Sequence, residues 1–275
     1  MQAIALQYSP VWCQKTASHR IVESLLEAAE PEPGAFVVLP EMADTGWSLD
    51  PRKTIQGDTL GWAAEIAVRH QIHLQIGFSR QVERAPGASN AAVIAHPDGS
   101  FGPIYEKVHP FGFTSEPAHV AAGEKLVLDQ VGEYVVAPSI CYDLRFPELH
   151  RLAVAGGAEI LAIGANWPRD RATHWRALVI ARAIENQAFV IATNRAGNDP
   201  SFCYEGGSLI VGPDGTVLAE GGANTEVVSA SFDRSMLTNW REKFPALADR
   251  RAELLGSFPV VRSTEKVPGR GESHG

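Results

Sequence analysis

The most informative part of the sequence is YVVAPSICYDLRFPEL, at residues 134–149. The apolar run 135–140 predicts a buried strand, and Pro147 favours the first turn of a helix that follows directly. Cys141 falls at the sharp bend between the two. A thiol at such a bend can face a substrate and be activated by a neighbouring base. A buried structural cysteine explains this stretch equally well, because cysteine is among the most buried residue types.

The same alternation of apolar strands and helical patterns runs on both sides of this bend. Apolar runs predict strands, and apolar residues three and four apart predict helices. The predicted strands are 3–6, 35–39, 74–78, 134–140, 160–164, 189–193 and 227–232, and the predicted helices are 19–29, 60–70, 147–155 and 173–186. This order of elements predicts an α/β protein with a mixed sheet, divided into two sheets with helices outside.

Two stretches resemble each other, and both predict hairpins. They are AAVIAHPDGSFGPIYEK at 91–107 and SLIVGPDGTVLAE at 208–220. In each, Pro-Asp-Gly follows an apolar run, where proline presets the first turn position and glycine tolerates a positive φ. The repeat favours a fold with two similar halves. Coincidence is the alternative, since Pro-Asp-Gly is a common turn.

Composition limits the class of protein. The chain has 275 residues, of which 45% are hydrophobic, enough for one α/β domain with a sizeable core. No linker divides it, so we expect one domain over 1–261 and a loose polar tail over 262–275. The net charge of −8 argues against a nucleic-acid partner. The chain has no signal-peptide pattern and no apolar run long enough to span a membrane.

The cysteines and histidines do not form a metal-ligand pattern. Cys13, Cys141 and Cys203 are widely spaced and include no CxxC pair. Free thiols fit a reducing cytosol, so we expect a cytoplasmic protein. His109 and His119 lie close in sequence, but their spacing matches no strong ligand set. We therefore expect no metal site and no functional role for the first and third cysteines.

Two more polar side chains stand, like Cys141, where an apolar stretch ends. Glu41 follows Pro40 in VVLPEM, and Lys107 ends the first hairpin in YEK. A carboxylate against an apolar wall is desolvated and suited to proton transfer, and a fixed ammonium can stabilise a developing oxyanion. Taken alone, each residue is better explained as an ordinary loop or surface side chain.

The ordered combination of three motifs resembles the nitrilase superfamily of carbon–nitrogen hydrolases. The motifs are LPE at 39–41, YEK at 105–107 and ICYDLRFPEL at 140–149. Glu41 precedes Lys107 by 66 residues and Lys107 precedes Cys141 by 34, which suits that family. The resemblance continues through GANWPRDRATHW and ARAIENQAFVIATNRAG and covers residues 1–255.

The resemblance implies a fold, an assembly and a mechanism. The fold is a four-layer α-β-β-α sandwich, and the assembly is a homodimer formed through the helices 150–155 and 173–186. The mechanism needs no cofactor. Cys141 would attack a small-molecule amide and form a thioester with loss of ammonia. Glu41 would take the thiol proton and later activate water, and Lys107 would stabilise the tetrahedral intermediate.

Two further residues are implied next to this triad. The family often has a second glutamate on the loop after the lysine, and Glu116 in FGFTSEPAH is the matching residue. It would orient Lys107 or position the substrate, unless it is an ordinary loop carboxylate. The backbone N–H of Tyr142, directly after the cysteine, would bind the oxyanion.

Within the superfamily, GANWP and IENQAFVIATNRAG look most like the ω-amidase branch, which hydrolyses the terminal amide of dicarboxylic monoamides such as 2-oxoglutaramate. The far carboxylate of such a substrate needs a cation or amide donors. The candidates are Arg145, Asn166, Trp167 and Arg195, with Trp47 as a pocket wall. Arg145 can instead pair with Asp143 or Glu148 to brace the bend, and Trp167 can be part of the core.

Other functions compete with this interpretation. The triad does not distinguish an amidase from a nitrilase, because both substrates pass through tetrahedral intermediates at the same cysteine. Hydrolysis of N-carbamoyl amines or of deaminated glutathione is also compatible with it. A binding protein on this fold should have lost part of the triad. A Cys–His thiol hydrolase predicts that replacing a histidine, and not Glu41→Gln, abolishes acylation.

Overall fold

The computed structural model of the chain describes residues 1–251 and Glu253. Its strands are β1 (Gln2–Gln7), β2 (Phe36–Val38), β3 (His73–Gln81), β4 (Ala88–Ala95), β5 (Tyr105–Glu106), β6 (Asp129–Val131), β7 (Tyr134–Ile140), β8 (Ile160–Ala165), β9 (Phe189–Asn194), β10 (Ala196–Asn198), β11 (Cys203–Glu205), β12 (Leu209–Val211), β13 (Val217–Glu220) and β14 (Glu226–Ser231). Its α-helices are α1 (Lys15–Ala29), α2 (Pro51–Thr54), α3 (Thr59–His70), α4 (Glu116–His119), α5 (Pro147–Ala155), α6 (Ala172–Asn186) and α7 (Arg234–Lys243).

Two six-stranded sheets share one arrangement of strands. The first has the order β14-β1-β2-β3-β4-β5, and the second has the order β6-β7-β8-β9-β12-β13. In each sheet three parallel strands lie side by side, with antiparallel strands on both sides of them. Helices connect the parallel strands, as βαβ units require. The α/β prediction is therefore confirmed.

The two Pro-Asp-Gly stretches form the same turn at corresponding places in the two sheets. In both, the residue before proline donates its N–H to the carbonyl of the residue after glycine, at 2.8 Å. Gly99 and Gly215 have φ values of +83° and +89°, which glycine adopts without strain. The repeat in the sequence thus reflects two similar halves of the fold.

Alternate side chains of each sheet face two different cores. Ala3 and Ala5 of β1 pack between the sheets with Ile191 of β9. Ile4 and Leu6 of β1 point the other way and pack with side chains of α1 and α3. The outer face of the second sheet packs in the same manner on α5 and α6. The result is the four-layer α-β-β-α sandwich that the resemblance implied.

Several strands and one helix were not predicted from the sequence. The strands β6, β10 and β11 have three residues each, too few for an alternating pattern to be recognised. Helix α7 buries only Leu237, so it carries almost no apolar stripe. The domain limit at 261 and the tail 262–275 lie outside the described residues, and those two predictions stay predictions. No helix in the described part of the chain is long and apolar enough to cross a membrane.

Candidate active site

The predicted side chains meet at the carboxyl ends of the parallel strands. Glu41 follows β2, Cys141 follows β7 and Asn166 follows β8. Lys107 follows β5, which runs in the same direction as β3 because two antiparallel pairings connect them through β4. Ligand sites in open α/β sheets form at such strand ends. All four side chains line one pocket.

This pocket is small and largely apolar. The space inside it, including the open mouth, is about 370 Å³. Its lining residues are Glu41, Trp47, Lys107, Phe111, Cys141, Tyr142, Arg145, Asn166, Trp167, Pro168, Arg171 and Phe202. Every predicted site residue except Glu116 and Arg195 is among them. The dimensions suit a small molecule with few heavy atoms.

Lys107 carries a positive charge that two carboxylates hold in place. Its side chain is 1% exposed, and its Nζ donates to Glu41 Oε1 at 2.8 Å and to Glu116 Oε2 at 2.9 Å. Burial on its own would lower the pKa of Lys107, but the charges of Glu116 and Glu41 outweigh it and raise that pKa. The ammonium therefore stays protonated at the pocket wall.

The carboxylate of Glu41 is held from two sides. Besides Lys107, Asn90 Nδ2 donates to Oε1 at 2.7 Å. The backbone N–H of Asn166 donates to Oε2 at 3.1 Å, and Asn166 Nδ2 donates to the carbonyl of Glu41 at 2.8 Å. Asn166 thus orients Glu41 and lines the pocket as well. The sequence did not predict a role for Asn90, because Asn90 belongs to no motif and lies within the buried strand β4.

Two glycines let the segment that carries Glu41 pass close to both sheets. A Cβ on Gly77 of β3 would lie 2.8 Å from the carbonyl oxygen of Pro40, and a Cβ on Gly164 of β8 would lie 2.6 Å from that of Leu39. Real Cβ atoms do not approach backbone atoms so closely. These strands therefore need glycine at the two positions for Glu41 to lie where it does.

Cys141 occupies a strained bend. It has φ +46°, a left-handed value that non-glycine residues rarely adopt, and it is 8% exposed. Burial raises the pKa of its thiol well above the usual value, the charge of Glu41 raises it further, and the charge of Lys107 opposes them. The resting thiol is therefore protonated, and its attack on a substrate requires a base.

Asp143 braces the bend from inside, a role that the sequence did not reveal. Its carboxylate is fully buried and accepts the N–H of Ile140 at 3.2 Å, the N–H of His109 at 2.9 Å and the hydroxyl of Tyr105 at 2.7 Å. These bonds connect the end of β7 to the loop that follows Lys107. Charge-assisted hydrogen bonds of this kind fix a backbone conformation strongly.

Arg145 does not brace the bend, because among the described residues it forms no ion pair with Asp143 or with Glu148. Its guanidinium instead lies over the ring of Trp167 at 4.6 Å and contacts His174 Nδ1 at 3.4 Å. Trp167 is 3% exposed and packs on Trp175 with ring centroids 5.6 Å apart. Trp167 therefore belongs both to the core and to the pocket wall.

Glu116 lies behind Lys107 and does not line the pocket. Its carboxylate accepts from Lys107, from Asn90 Nδ2 at 3.2 Å, from Trp47 Nε1 at 3.4 Å and from the backbone N–H of Phe111. It is completely buried at the start of α4. The alternative of an ordinary solvated loop carboxylate does not describe this environment.

The structure does not bring Arg195 to the pocket. Its guanidinium contacts the carboxylate of Asp199 at 3.5 Å, donates to the carbonyl of Asn198 at 3.0 Å and lies over the ring of Tyr204 at 4.4 Å. The positive charge of Arg195 is thus compensated within the hairpin of β10 and β11. The expectation that Arg195 receives the substrate carboxylate is corrected accordingly.

The two histidines nearest to Glu116 in the sequence have structural partners. His109 Nδ1 lies 2.9 Å from Asp143 Oδ1, and His119 Nδ1 lies 2.8 Å from the carbonyl of Ser115. Within residues 1–251, no histidine lines the pocket that contains Cys141. This arrangement argues against a Cys–His thiol hydrolase.

This sandwich, with a buried thiol, lysine and glutamate at its strand ends, corresponds to a known class of enzymes. The chain matches the carbon–nitrogen hydrolase family model over residues 3–242 and belongs to that family. A solved structure supports the same conclusion. XC1258 from Xanthomonas campestris, a CN-hydrolase superfamily protein with an arsenic adduct in its active site, superposes with a TM-score of 0.84 at 30% identity, covering 91% of this chain and 97% of that one.

Two relatives with named amidase activities are similar to this chain over most of its length. A 2-oxoglutaramate amidase from Bacillus subtilis (strain 168) is 37% identical over 222 residues, covering 79% of this chain and 85% of the relative. Omega-amidase YafV from Escherichia coli (strain K12) is 33% identical over 248 residues, covering 89% and 94% respectively. These findings confirm the resemblance derived from the three motifs.

Proposed function

We propose that the protein is an ω-amidase, which hydrolyses the terminal amide of a small carboxylated monoamide such as 2-oxoglutaramate to the acid and ammonia. The observation that carries the proposal is the pocket shared by Cys141, Glu41 and the charged Lys107. The names of the two relatives support the choice of amide. The size of the pocket supports a substrate of a few carbon atoms.

The chemistry follows from the charges around the thiol. Glu41 takes the proton of Cys141 as the sulfur attacks the amide carbon, since burial keeps the resting thiol protonated. The tetrahedral oxyanion forms beside the ammonium of Lys107 and the N–H of Tyr142, and both stabilise it. Glu41 returns its proton to the leaving nitrogen, ammonia departs, and a thioester remains on the sulfur.

The second half of the reaction uses the same groups. Glu41 takes a proton from a water molecule, whose oxygen attacks the thioester carbon. The new oxyanion is again stabilised by Lys107, and it collapses as the sulfur leaves and recovers a proton from Glu41. The products are the carboxylic acid and the free thiol of Cys141. Glu116 keeps Lys107 in position throughout.

A panel of small substrates tests the proposal. Ammonia release is measured with 2-oxoglutaramate, 2-oxosuccinamate, glutaramate, an N-carbamoyl amine and a simple nitrile. We expect the carboxylated monoamides to give the highest kcat/KM. Faster turnover of the nitrile would indicate a nitrilase, and faster turnover of the N-carbamoyl amine would indicate a carbamoylase. Turnover of none of them, with Cys141 inert to iodoacetamide, would favour a binding protein.

Two properties of the whole protein belong to the same proposal. We infer a homodimer formed through α5 and α6, whose outer surfaces include Leu152, 60% exposed, and Ile184, 53% exposed. We also infer a cytoplasmic location. Cys13, Cys141 and Cys203 are all free thiols, which suits a reducing compartment.

A further inference from the structure

Arg171 is a charged pocket residue whose guanidinium forms no hydrogen bond or ion pair with the residues that the structure describes. It ends the 3₁₀ helix Arg169–Arg171 and lines the pocket with Cys141. Its guanidinium lies over the rings of Phe111 at 5.4 Å and Phe113 at 5.8 Å, which fixes its direction. Its Nη2 atom is buried without a hydrogen-bond partner. Among the described residues, no carboxylate forms an ion pair with it.

Arg145 places a second positive charge on the same wall. It too lines the pocket, stacked over Trp167 at 4.6 Å, and the part of the chain that the structure describes offers it no ion pair. Burial lowers the pKa of Arg145, and the nearby charge of Arg171 acts in the same direction. Two partly buried like charges side by side destabilise each other unless an anion lies between them.

The carboxylates in the pocket and directly behind it do not fill that role. The carboxylates of Glu41 and Glu116 already bind Lys107 at 2.8 Å and 2.9 Å. The negative charge that would satisfy the two guanidiniums must therefore come with the substrate. A carboxylate has the planar shape and the paired oxygen atoms that a guanidinium binds best.

We propose that Arg171, together with Arg145, receives the far carboxylate of the substrate and makes the enzyme select carboxylated amides over neutral ones. This inference rests on the proposed ω-amidase function and adds the residues that determine its selectivity. It replaces Arg195 in that role. It also assigns a binding function to Arg171, which the sequence pattern alone did not distinguish from its neighbour Arg169.

Arg171→Met tests the inference, because methionine retains an apolar side chain against Phe111 and removes the charge. Arg169→Met is the matched control. It removes the same charge from the same turn, but Arg169 is exposed, does not line the pocket and lies 3.6 Å from Glu205. The substrates are glutaramate and pentanamide, which have the same number of carbon atoms and differ in the carboxylate.

We expect Arg171→Met to lower kcat/KM for glutaramate by about 10²-fold, the usual effect of removing one partner of a desolvated charge pair. The value for pentanamide should stay within about threefold, since no charge is lost at the reacting carbon. Arg169→Met should leave both values unchanged. An equal fall for both substrates, or an unchanged preference for glutaramate, would overturn the inference.

Binding of glutarate, measured by calorimetry, gives a readout that does not depend on turnover. Wild-type protein and Arg169→Met should bind glutarate, and Arg171→Met should bind it about 10²-fold more weakly. If the wild-type protein hydrolyses no amide yet shows this pattern, the proposed function fails, and the part of the inference that stands is that Arg171 binds a carboxylate. If the amides are hydrolysed and glutarate binds equally to all three proteins, the inference fails and the proposed function stands.

Discussion

At the scale of single residues, one ammonium group connects the parts of the site. Lys107 Nζ lies between Glu41 and Glu116, so each glutamate is held by the same charge. Only Glu41 lines the pocket with Cys141. This difference in position supports the proposed roles, with Glu41 as the base and Glu116 as the residue that positions Lys107.

Glu116→Gln should lower kcat by about 10–10² fold and leave KM nearly unchanged. The amide cannot pair with the Lys107 charge, so the ammonium loses its fixed position in the transition state, where its charge matters most. Steady-state ammonia release gives both constants. Glu106→Gln is a suitable control, because Glu106 is paired with Arg84 on the far side of β5. A change confined to KM would contradict the positioning role.

At the scale of secondary structure elements, the close approach of strands β3 and β8 to the segment that carries Glu41 determines where Glu41 lies. The backbone of 39–41 passes directly over Gly164 of β8. We expect Gly164→Ala to lower activity by at least 10²-fold, because the added methyl group displaces Glu41 by a distance that catalysis does not tolerate. Ammonia release measures this. Gly222→Ala, whose Cβ would contact only Glu226 at 3.4 Å, should retain full activity, and equal activity of both variants would refute the explanation.

His150 in α5, the helix that follows Cys141, makes the stability of the protein depend on pH. Burial lowers the pKa of His150 in α5 from 6.5 to about 4, and its Nε2 lies 3.3 Å from the hydroxyl of Ser139. Between these pH values the unfolded chain binds a proton that the folded chain excludes. Stability therefore falls as the pH falls from 6.5 to 4, with a contribution of about 3 kcal/mol in total.

Urea unfolding between pH 4.5 and 7 tests this dependence. The free energy of unfolding of the wild-type protein should fall with decreasing pH more steeply than that of His150→Gln. The exposed His174 at the start of α6 provides the control, since His174→Gln should retain the wild-type slope. Identical slopes for all three proteins would show that His150 is not responsible.

The elements that were predictable from the sequence are those with long apolar patterns. The bounds of β7 and α5 agree with the prediction to the residue, because an apolar strand, a bend and a proline-initiated helix follow one another directly. The hydrogen bonds that Asp143 accepts from Tyr105 and His109 depend on contacts between segments far apart in the chain. A pattern of neighbouring residues carries no information on such contacts.

At the scale of the whole molecule, an exposed apolar surface remains on α5 and α6. Leu152 is 60% exposed, and α6 adds Ile184 at 53%. We expect the wild-type protein to have the mass of two chains in light scattering, and Leu152→Glu to shift it toward one chain. Val68→Glu changes a residue on α3, in the opposite outer layer, that is 44% exposed. It should leave the mass unchanged, and a monomeric wild-type protein would contradict the dimer.

The proposed reaction requires that Cys141 attacks the amide and that Glu41 acts as its base. The most direct test is intact-protein mass spectrometry of wild-type, Glu41→Gln and Cys141→Ala proteins during turnover of glutaramate. The wild-type protein should carry a glutaryl thioester, localised by peptide mapping to Cys141. Cys141→Ala should carry none and release no ammonia, and Glu41→Gln should form the adduct several orders of magnitude more slowly. Ammonia release near the wild-type rate in either variant, or an adduct on another residue, would show that Cys141 and Glu41 do not have these roles.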